Sequence, residues 1–380
     1  MITDEKNGLY IHFPFCRKKC GYCGFYSVED LSAVTIDRYI DAVISEMESA
    51  AEDYPESVFD TVFFGGGTPS MAGAERIGRI LEVVRRKFSI SDNAEITLEM
   101  NPSDVTADSM RAYASSGINR FTLGVQTLDR DAYRSVGRQG GFCDDALLDA
   151  YFSTEGVSLC ADLIAGIPEE SPESFIRGLE KITAYRPDHL SVYLLTLESG
   201  SPYERRKQRF SARDEERQIE TFAAAVSFLK SRGYLHYEIS NFCLPGHESR
   251  HNLKYWTWGS YLGLGPAAHS FMNGNRFSNE PSLDAYLRGG SRVFDKRSVL
   301  QEASEFIMTG LRLRRGFPVR EFRNRFGGEL FDRIADDISR LESEGLLEEA
   351  DSDGIPYFRI PDGKIFLSDD ITFRTVQNLL

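Results

Sequence analysis

No run of about eighteen apolar residues occurs anywhere in the chain, which excludes a membrane-spanning helix. Positive charge is in short supply: 44 Lys and Arg stand against 58 Asp and Glu, a formal net charge of -14. Nucleic-acid binding rests on a basic surface, so no nucleic-acid partner is expected. The opening MITDEKNGLY has neither the basic start nor the apolar run of a secretory signal, and a cytoplasmic location is the expectation. Internal repeats are lacking, and no low-complexity linker marks a domain boundary. Cysteine is scarce too, six in 380 residues, and with no secretory signal a thiol cluster reads as metal or redox chemistry rather than as a disulfide staple. Yet three of the six fall within eight positions, in HFPFCRKKCGYCGF at residues 12 to 25.

The length gives room for one large domain and a smaller one. Short β-rich runs recur at LYIHF (9–13), TVFFG (61–65), EITLE (95–99), RFTLGV (120–125), SLCADLI (158–164) and LSVYLL (190–195). The segments between them are long enough for helices; Ile36, Tyr39, Ile40, Val43 and Met47 share one face at helical spacing. Strands alternating with helices predict an α/β fold with a parallel sheet, and six such units fit an open or partial (β/α) barrel. After about residue 290 the texture changes to helix-like stretches followed by short β-like pieces, which predicts a smaller, winged-helix-like helical domain. The expected division is therefore 1–290 and 291–380. A DNA-binding role for the second part is not expected. Residues 329–353 hold Glu329, Asp332, Asp336, Asp337, Glu342, Glu344, Glu348, Glu349, Asp351 and Asp353 against Arg333 and Arg340, and phosphate would be repelled.

Cys16, Cys20 and Cys23 occupy the loop after the first predicted strand, at the barrel end where active sites are built. Two chemistries are open. Three thiolates on a [4Fe-4S] cluster leave one iron without a protein ligand, free to take a small molecule. Alternatively, His12 completes a Cys3His set, and the chain is a zinc-stabilised, non-redox α/β protein. Against zinc, His12 lies in a predicted strand before Pro14, whereas zinc ligands usually come as two separated pairs. Cys143, Cys160 and Cys243 are far apart in sequence, and Cys160, in VSLCADLIAGI, is expected to be a buried inert thiol. GGGTPS (65–70) follows a predicted strand directly, where glycines bring backbone close to a ligand. Glu99 ends the third strand in LEMNP, Gln126 follows the fourth in LGVQT, and Asp162 lies in the fifth in CADLI. Polar residues at several strand ends converge on one mouth.

The spacing C-x3-C-x2-C, with Tyr22 before the last cysteine, resembles that of the radical S-adenosylmethionine (SAM) superfamily. The resemblance narrows over nearly the whole chain. YIHFPFCRKKCGYCGF, FFGGGTPS, GINRFTLGVQT, DLIAGIPEESPESF, HLSVYLLTLESG, YEISNFCLPGHESRHNLKYW, YLGLGPAAHSF and FIMTGLRLRRG follow, in order, the pattern of the oxygen-independent coproporphyrinogen III oxidase group. The dehydrogenase branch of that group carries C-x3-C-x2-C-x-C, but here Phe25 stands two residues after Cys23. The HemW-type heme chaperone branch has phenylalanine there and an H-N-x-x-Y-W motif, matched by residues 251–256. The sequence is similar to that second branch. It departs from it in IPEESPES, where relatives often carry Gln-Thr after Gly-Ile-Pro.

The resemblance implies a radical-SAM-type barrel followed by a C-terminal HemN-type domain. It implies a [4Fe-4S] cluster on Cys16, Cys20 and Cys23, and SAM held by Tyr10, Tyr22, Gly66, Gly67, Thr68, Glu99, Gln126, Arg138 and Asp162. His251, Tyr255 and Trp256 match the proposed heme motif. Imidazole is a common heme-iron ligand and aromatic rings suit a flat macrocycle; the alternative is a structural turn in which His251 satisfies local groups. No catalytic residue is implied beyond the cluster and SAM site. The implied function is a heme chaperone that passes heme to acceptor hemoproteins, membrane-associated ones included, with an electron donor for the cluster. The alternative is an enzyme, a coproporphyrinogen III dehydrogenase working by radical oxidative decarboxylation.

Overall fold

Alternation along LYIHF sends Leu9, Ile11 and Phe13 to one face of the first strand, β1 (Asn7–Phe13), where they are buried under helices. Tyr10 and His12 therefore face the inside of the barrel. Five further strands follow: β2 (Val58–Gly66), β3 (Ser89–Met100), β4 (Arg120–Gln126), β5 (Ser158–Ala165) and β6 (His189–Leu194). Each pairs in parallel with the next. Parallel neighbours need crossovers, supplied here by α1 (Ala33–Asp53), α2 (Ala74–Lys87), α3 (Ala107–Ser116), α4 (Arg130–Ser135), α5 (Asp145–Phe152) and α6 (Pro172–Ala184). The computed structural model describes residues 6–30, 32–138, 140–196, 212–352 and 354–380. The end of the HLSVYLLTLESG stretch and Asp353 of the acidic run lie outside them.

α1 shows how the sequence fixes these units. The Ser32 hydroxyl accepts from the Thr35 N–H at 3.0 Å and caps the helix. Ile36, Tyr39, Ile40, Val43 and Met47 form its buried face, as their spacing predicts. Each such side chain contributes about 1.5–3 kcal/mol by leaving water. The Tyr39 hydroxyl also donates to the His12 carbonyl at 2.7 Å, which ties α1 to the strand that leads into the cysteine loop.

The barrel is partial. After α7 (Ala212–Ser231), β7 (Leu235–His236) and β8 (Asn241–Cys243) continue the sheet beyond β6. α8 (Arg250–Trp256) precedes β9 (Tyr261–Leu264), which takes the outer edge of β1 in parallel. β10 (His269–Met272), β11 (Asn275–Asn279) and, past the short α9 (Leu283–Leu287), β12 (Arg292–Asp295) then extend that side. Among the described residues one sheet of twelve strands results, in which β1 and β6 are not neighbours.

The rest is the winged-helix-like domain: α10 (Val299–Gly310), β13 (Phe317–Pro318), α11 (Val319–Phe326), α12 (Gly328–Ser343), the hairpin β14 (Glu348–Ser352) and β15 (Ile355–Arg359), and α13 (Ser368–Val376). Its core, around Phe306, Phe317, Phe322, Ile334 and Leu341, also takes in Trp258 and Phe271 from the sheet side. Backbone hydrogen bonds from Ile239 to Arg312 and from Arg314 to Tyr237 stitch the two parts together. Arg312 reaches the fully buried Glu238 at 3.4 Å across the same seam. Among the described residues, no helix is long and apolar enough to cross a membrane.

Candidate cofactor site at the mouth of the barrel

The chain after β1 leaves the sheet at Pro14 and loops out through the three cysteines. Two backbone bonds close that loop, Cys16 N–H to Val28 O at 3.0 Å and Val28 N–H to Pro14 O at 2.7 Å. The GGGT turn after β2 lies against its base: Gly67 N–H donates to Phe13 O at 2.7 Å and Thr68 N–H to Phe15 O at 2.8 Å. Both glycines here are needed. A Cβ on Gly67 would stand 2.6 Å from the Phe15 carbonyl, and Gly66, at φ 107°, would drive one into the His12 ring.

A cleft of about 620 Å3 opens at this end of the sheet. Cys16, Cys20 and Cys23 line it, together with Tyr22, Gly66, Gly67, Thr68, Glu99, Gln126, Arg138 and Asp162. Eleven residues singled out from sequence thus share one cavity. The Thr68 hydroxyl donates to Cys16 Sγ at 3.6 Å, and the Phe25 N–H points at the Cys23 sulfur. Burial pushes the Cys16 and Cys23 thiols up, and these donors work against it. That chemistry suits thiolate ligands, which must lose their protons to bind metal.

His12 offers no free nitrogen for a zinc set. Its Nε2–H donates to the Tyr26 carbonyl at 3.0 Å, so its Nδ1 accepts from the Tyr10 hydroxyl at 3.0 Å. Among the described residues, no group of three His, Cys, Asp or Glu is spaced to hold a single metal ion.

Arg138 organises the opposite wall. Its Nη1 donates to the Tyr22 hydroxyl at 2.9 Å and its Nη2 to Asn101 Oδ1 at 2.9 Å and to the Gly124 carbonyl. One buried guanidinium therefore fixes the cysteine loop to the ends of β3 and β4. Glu99 accepts from the Gly66 N–H at 3.2 Å. Burial, and then the charge of Asp162, push its carboxyl up to about 8. Burial raises Asp162 as well. Gln126 holds a left-handed backbone at φ 66°, strain of the kind found at functional sites.

Tyr10, His251, Tyr255 and Trp256 do not line this cleft. α8 packs beneath the barrel, where the His251 ring meets Thr61 Oγ at 2.8 Å and the Tyr255 hydroxyl at 2.8 Å. Its backbone N–H donates to Glu95 Oε1 at 3.0 Å. The ring is 1% exposed, and burial lowers its pKa to about 3. Tyr10 stacks on it with centroids 6.3 Å apart. Trp256 lies under the Arg312 guanidinium at 4.3 Å.

Sequence reasoning missed Asn101, Gly124 and Tyr193, which also line the cleft. Asn101 was within reach, since it follows Glu99 by two in LEMNP and so shares its side of the strand. It also missed Glu170, in the IPEESPES stretch where the resemblance departs. Glu170 is 3% exposed; one carboxyl oxygen accepts from Thr127 Oγ at 2.9 Å and the other is buried without a partner. Thr127 Oγ in turn accepts from the N–H of Asp129, the cap of α4. Burial, with the charge of Asp129 adding to it, holds the Glu170 carboxyl up at about 7, above its ordinary 4.5. The folded state therefore favours the protonated form. Its contribution is full below pH 4.5 and is lost as pH rises through about 7. Glu170→Gln is expected to match the parent near pH 4.5 and to exceed it at pH 8 by on the order of 2 kcal/mol in urea unfolding. A difference independent of pH would contradict this account.

Comparison with known proteins places this geometry. The radical SAM superfamily matches residues 10–182, and the HemN C-terminal domain matches residues 298–353. The solved structure of coproporphyrinogen III oxidase (HemN) from Escherichia coli, described as a radical SAM enzyme, superposes with a TM-score of 0.81 at 22% identity. It covers 98% of this chain and 90% of its own, so the two share a fold. A protein named heme chaperone HemW from Mycobacterium tuberculosis is 32% identical over 84% of both chains. HemW from Escherichia coli K12 is 30% identical over 97% of this chain and 98% of its own. With identity at that level from end to end, and a cysteine loop opening onto the mouth of a partial barrel, the chain belongs to the HemW family of radical SAM proteins.

Proposed function

We propose that the protein is a cytoplasmic heme carrier that binds heme and passes it to acceptor hemoproteins, membrane-associated ones included. In this reading Cys16, Cys20 and Cys23 hold a [4Fe-4S] cluster and the facing strand ends hold SAM. The observation that carries it is the end-to-end similarity to proteins named heme chaperone. Phe25, where the dehydrogenase branch would place a further cysteine, supports it.

When bound, the cluster supplies redox chemistry and an iron open to a ligand other than protein. The residues of this chain would do the rest. Thr68 and the Phe25 N–H direct donors at the thiolate sulfurs. Glu99 and Asp162 offer acceptors for hydroxyl groups, and Arg138 holds Tyr22 and the wall of the cleft in register. An electron donor for the cluster completes the proposal.

The test is anaerobic reconstitution with iron and sulfide, followed by paired assays. Heme should move from the protein to an apo-hemoprotein faster than it dissociates into solution, and coproporphyrinogen III should stay unchanged with SAM and a reductant present. Multiple-turnover conversion of coproporphyrinogen III to protoporphyrinogen IX would replace the carrier by the enzyme.

A further inference from the structure

If the protein carries heme, the macrocycle needs a seat, and the HNxxYW segment offers a poor one. Both His251 ring nitrogens are engaged within the protein, and the side chain is sealed beneath the barrel. An iron arriving there would have to break one of those hydrogen bonds to reach a nitrogen sealed inside the protein, where the Phe63 and Tyr10 rings stack against the imidazole.

The rim of the cysteine cleft has the opposite character. Phe25 is 65% exposed and Tyr193 41% exposed, and both line the cleft. A large apolar ring held in solvent at the edge of a concave site suits a flat ligand, and Tyr193 stands deeper in the cleft, its hydroxyl buried near Asp162, Ser191 and Glu99. In CRKKC, Lys18 and Lys19 line the same cleft. Among the described residues neither has an ion-pair partner, whereas the neighbouring Arg17 is tied to Asp104 at 2.5 Å. Lys19 also helps to lower the Cys16 and Cys23 thiols. On a chain of net charge -14, two ammonium groups at the mouth without an ion-pair partner among the described residues stand out. They match a ligand that joins a flat apolar ring to carboxylates at one edge, which is the chemistry of heme.

We propose that a flat macrocycle bearing two carboxylates, heme as cargo, seats on the outer rim of the cysteine cleft. Its ring covers the mouth, with Phe25 at the edge and Tyr193 beneath it, and its carboxylates meet Lys18 and Lys19. The inner wall, with Glu99, Gln126 and Asp162, is left to the cofactor. α8 then serves as the floor of the barrel. This seat rests on the carrier reading and makes the delivery of heme dependent on what fills the cleft below it.

The experiment titrates heme into the full-length protein and follows the Soret band. Phe25→Ala should weaken binding about tenfold, the loss of an aromatic contact of about 1.5 kcal/mol, and Phe25→Tyr should restore it. Heme dimethyl ester, whose carboxylates are masked, should bind the unaltered protein more weakly than heme by about the factor that the Lys18→Ala, Lys19→Ala double variant loses. That factor should shrink in high salt. Iron and sulfide content of each variant separates a lost seat from a lost cluster, and the ester comparison needs no variant at all. Equal affinity for heme and its ester, with Phe25→Ala unchanged and His251→Phe losing the Soret shift, would overturn the seat and return it to α8. No Soret shift with the unaltered protein would sink the carrier reading itself, and the seat with it.

Discussion

Replacing any one of Cys16, Cys20 or Cys23 with alanine is expected to leave the anaerobically reconstituted protein without iron or acid-labile sulfide, while Cys143→Ala keeps both. The three thiols are partly exposed on one cleft, with donors aimed at two of their sulfurs. A cubane held by three thiolates has no spare protein ligand, so losing one leaves a second iron bare. Cys143 stands apart: it is buried outside the cleft, and burial pushes its thiol up to about 12. Cys160 and Cys243 are also buried, at about 11 and about 12, and none of the three can readily substitute as a thiolate. The readout is iron and sulfide per chain, with circular dichroism to show that each variant still folds. One zinc per chain with no sulfide would sink the cluster. So would iron retained in a single-cysteine variant.

Much of the barrel was legible because its signals are local. The six parallel strands announce themselves as short β-rich runs separated by helix-length segments, and the face of α1 is set by spacing alone. The cysteine loop and the GGGT turn are contiguous in sequence, and the strand-end rule brought Glu99 and Asp162 to the same mouth. The edges of the sheet were less legible. β7 and β8 have two and three residues, too few for a period to show. β9 reads as a strand only because β1, some 250 positions earlier, needs a partner on its outer edge.

The same contrast separates the two halves of the site. Arg138 reaches Tyr22 across 116 positions of sequence, from a loop that carries no pattern of its own. The HNxxYW segment is the reverse case, a clear motif whose surroundings are invisible in sequence. Its histidine is sealed by Thr61 and Glu95, 190 and 156 positions away, and nothing in residues 251–256 foretells those partners. A motif names residues, but burial decides which of them can touch a ligand.

Glu99 should make SAM binding depend on pH in a direction fixed by its surroundings. In the protein without ligand, burial and the charge of Asp162 hold the Glu99 carboxyl at about 8, so near pH 7 it is mostly protonated. A ligand that presents hydroxyl donors favours the carboxylate, because charge-assisted hydrogen bonds are the stronger kind. Binding below pH 8 must then expel a proton, and affinity should rise with pH by up to about tenfold per unit before levelling off above pH 8. Folding stability runs the other way. A carboxyl raised above its ordinary 4.5 contributes most at low pH and loses that contribution as pH rises through about 8, so the ligand is most needed where the empty site is least stable. Titration calorimetry of the reconstituted protein, in two buffers of different ionisation enthalpy, would count the protons. Close to one should be released at pH 6.5, and none above pH 9. Glu99→Gln should weaken binding by about 1.5–3 kcal/mol at pH 8, roughly ten- to a hundredfold, and should abolish the proton release. Asp162→Asn should lower the midpoint instead, because it removes the charge that helps to hold Glu99 up. An affinity that is flat between pH 6.5 and 8.5, with the parent and Glu99→Gln alike, would remove Glu99 from the binding wall.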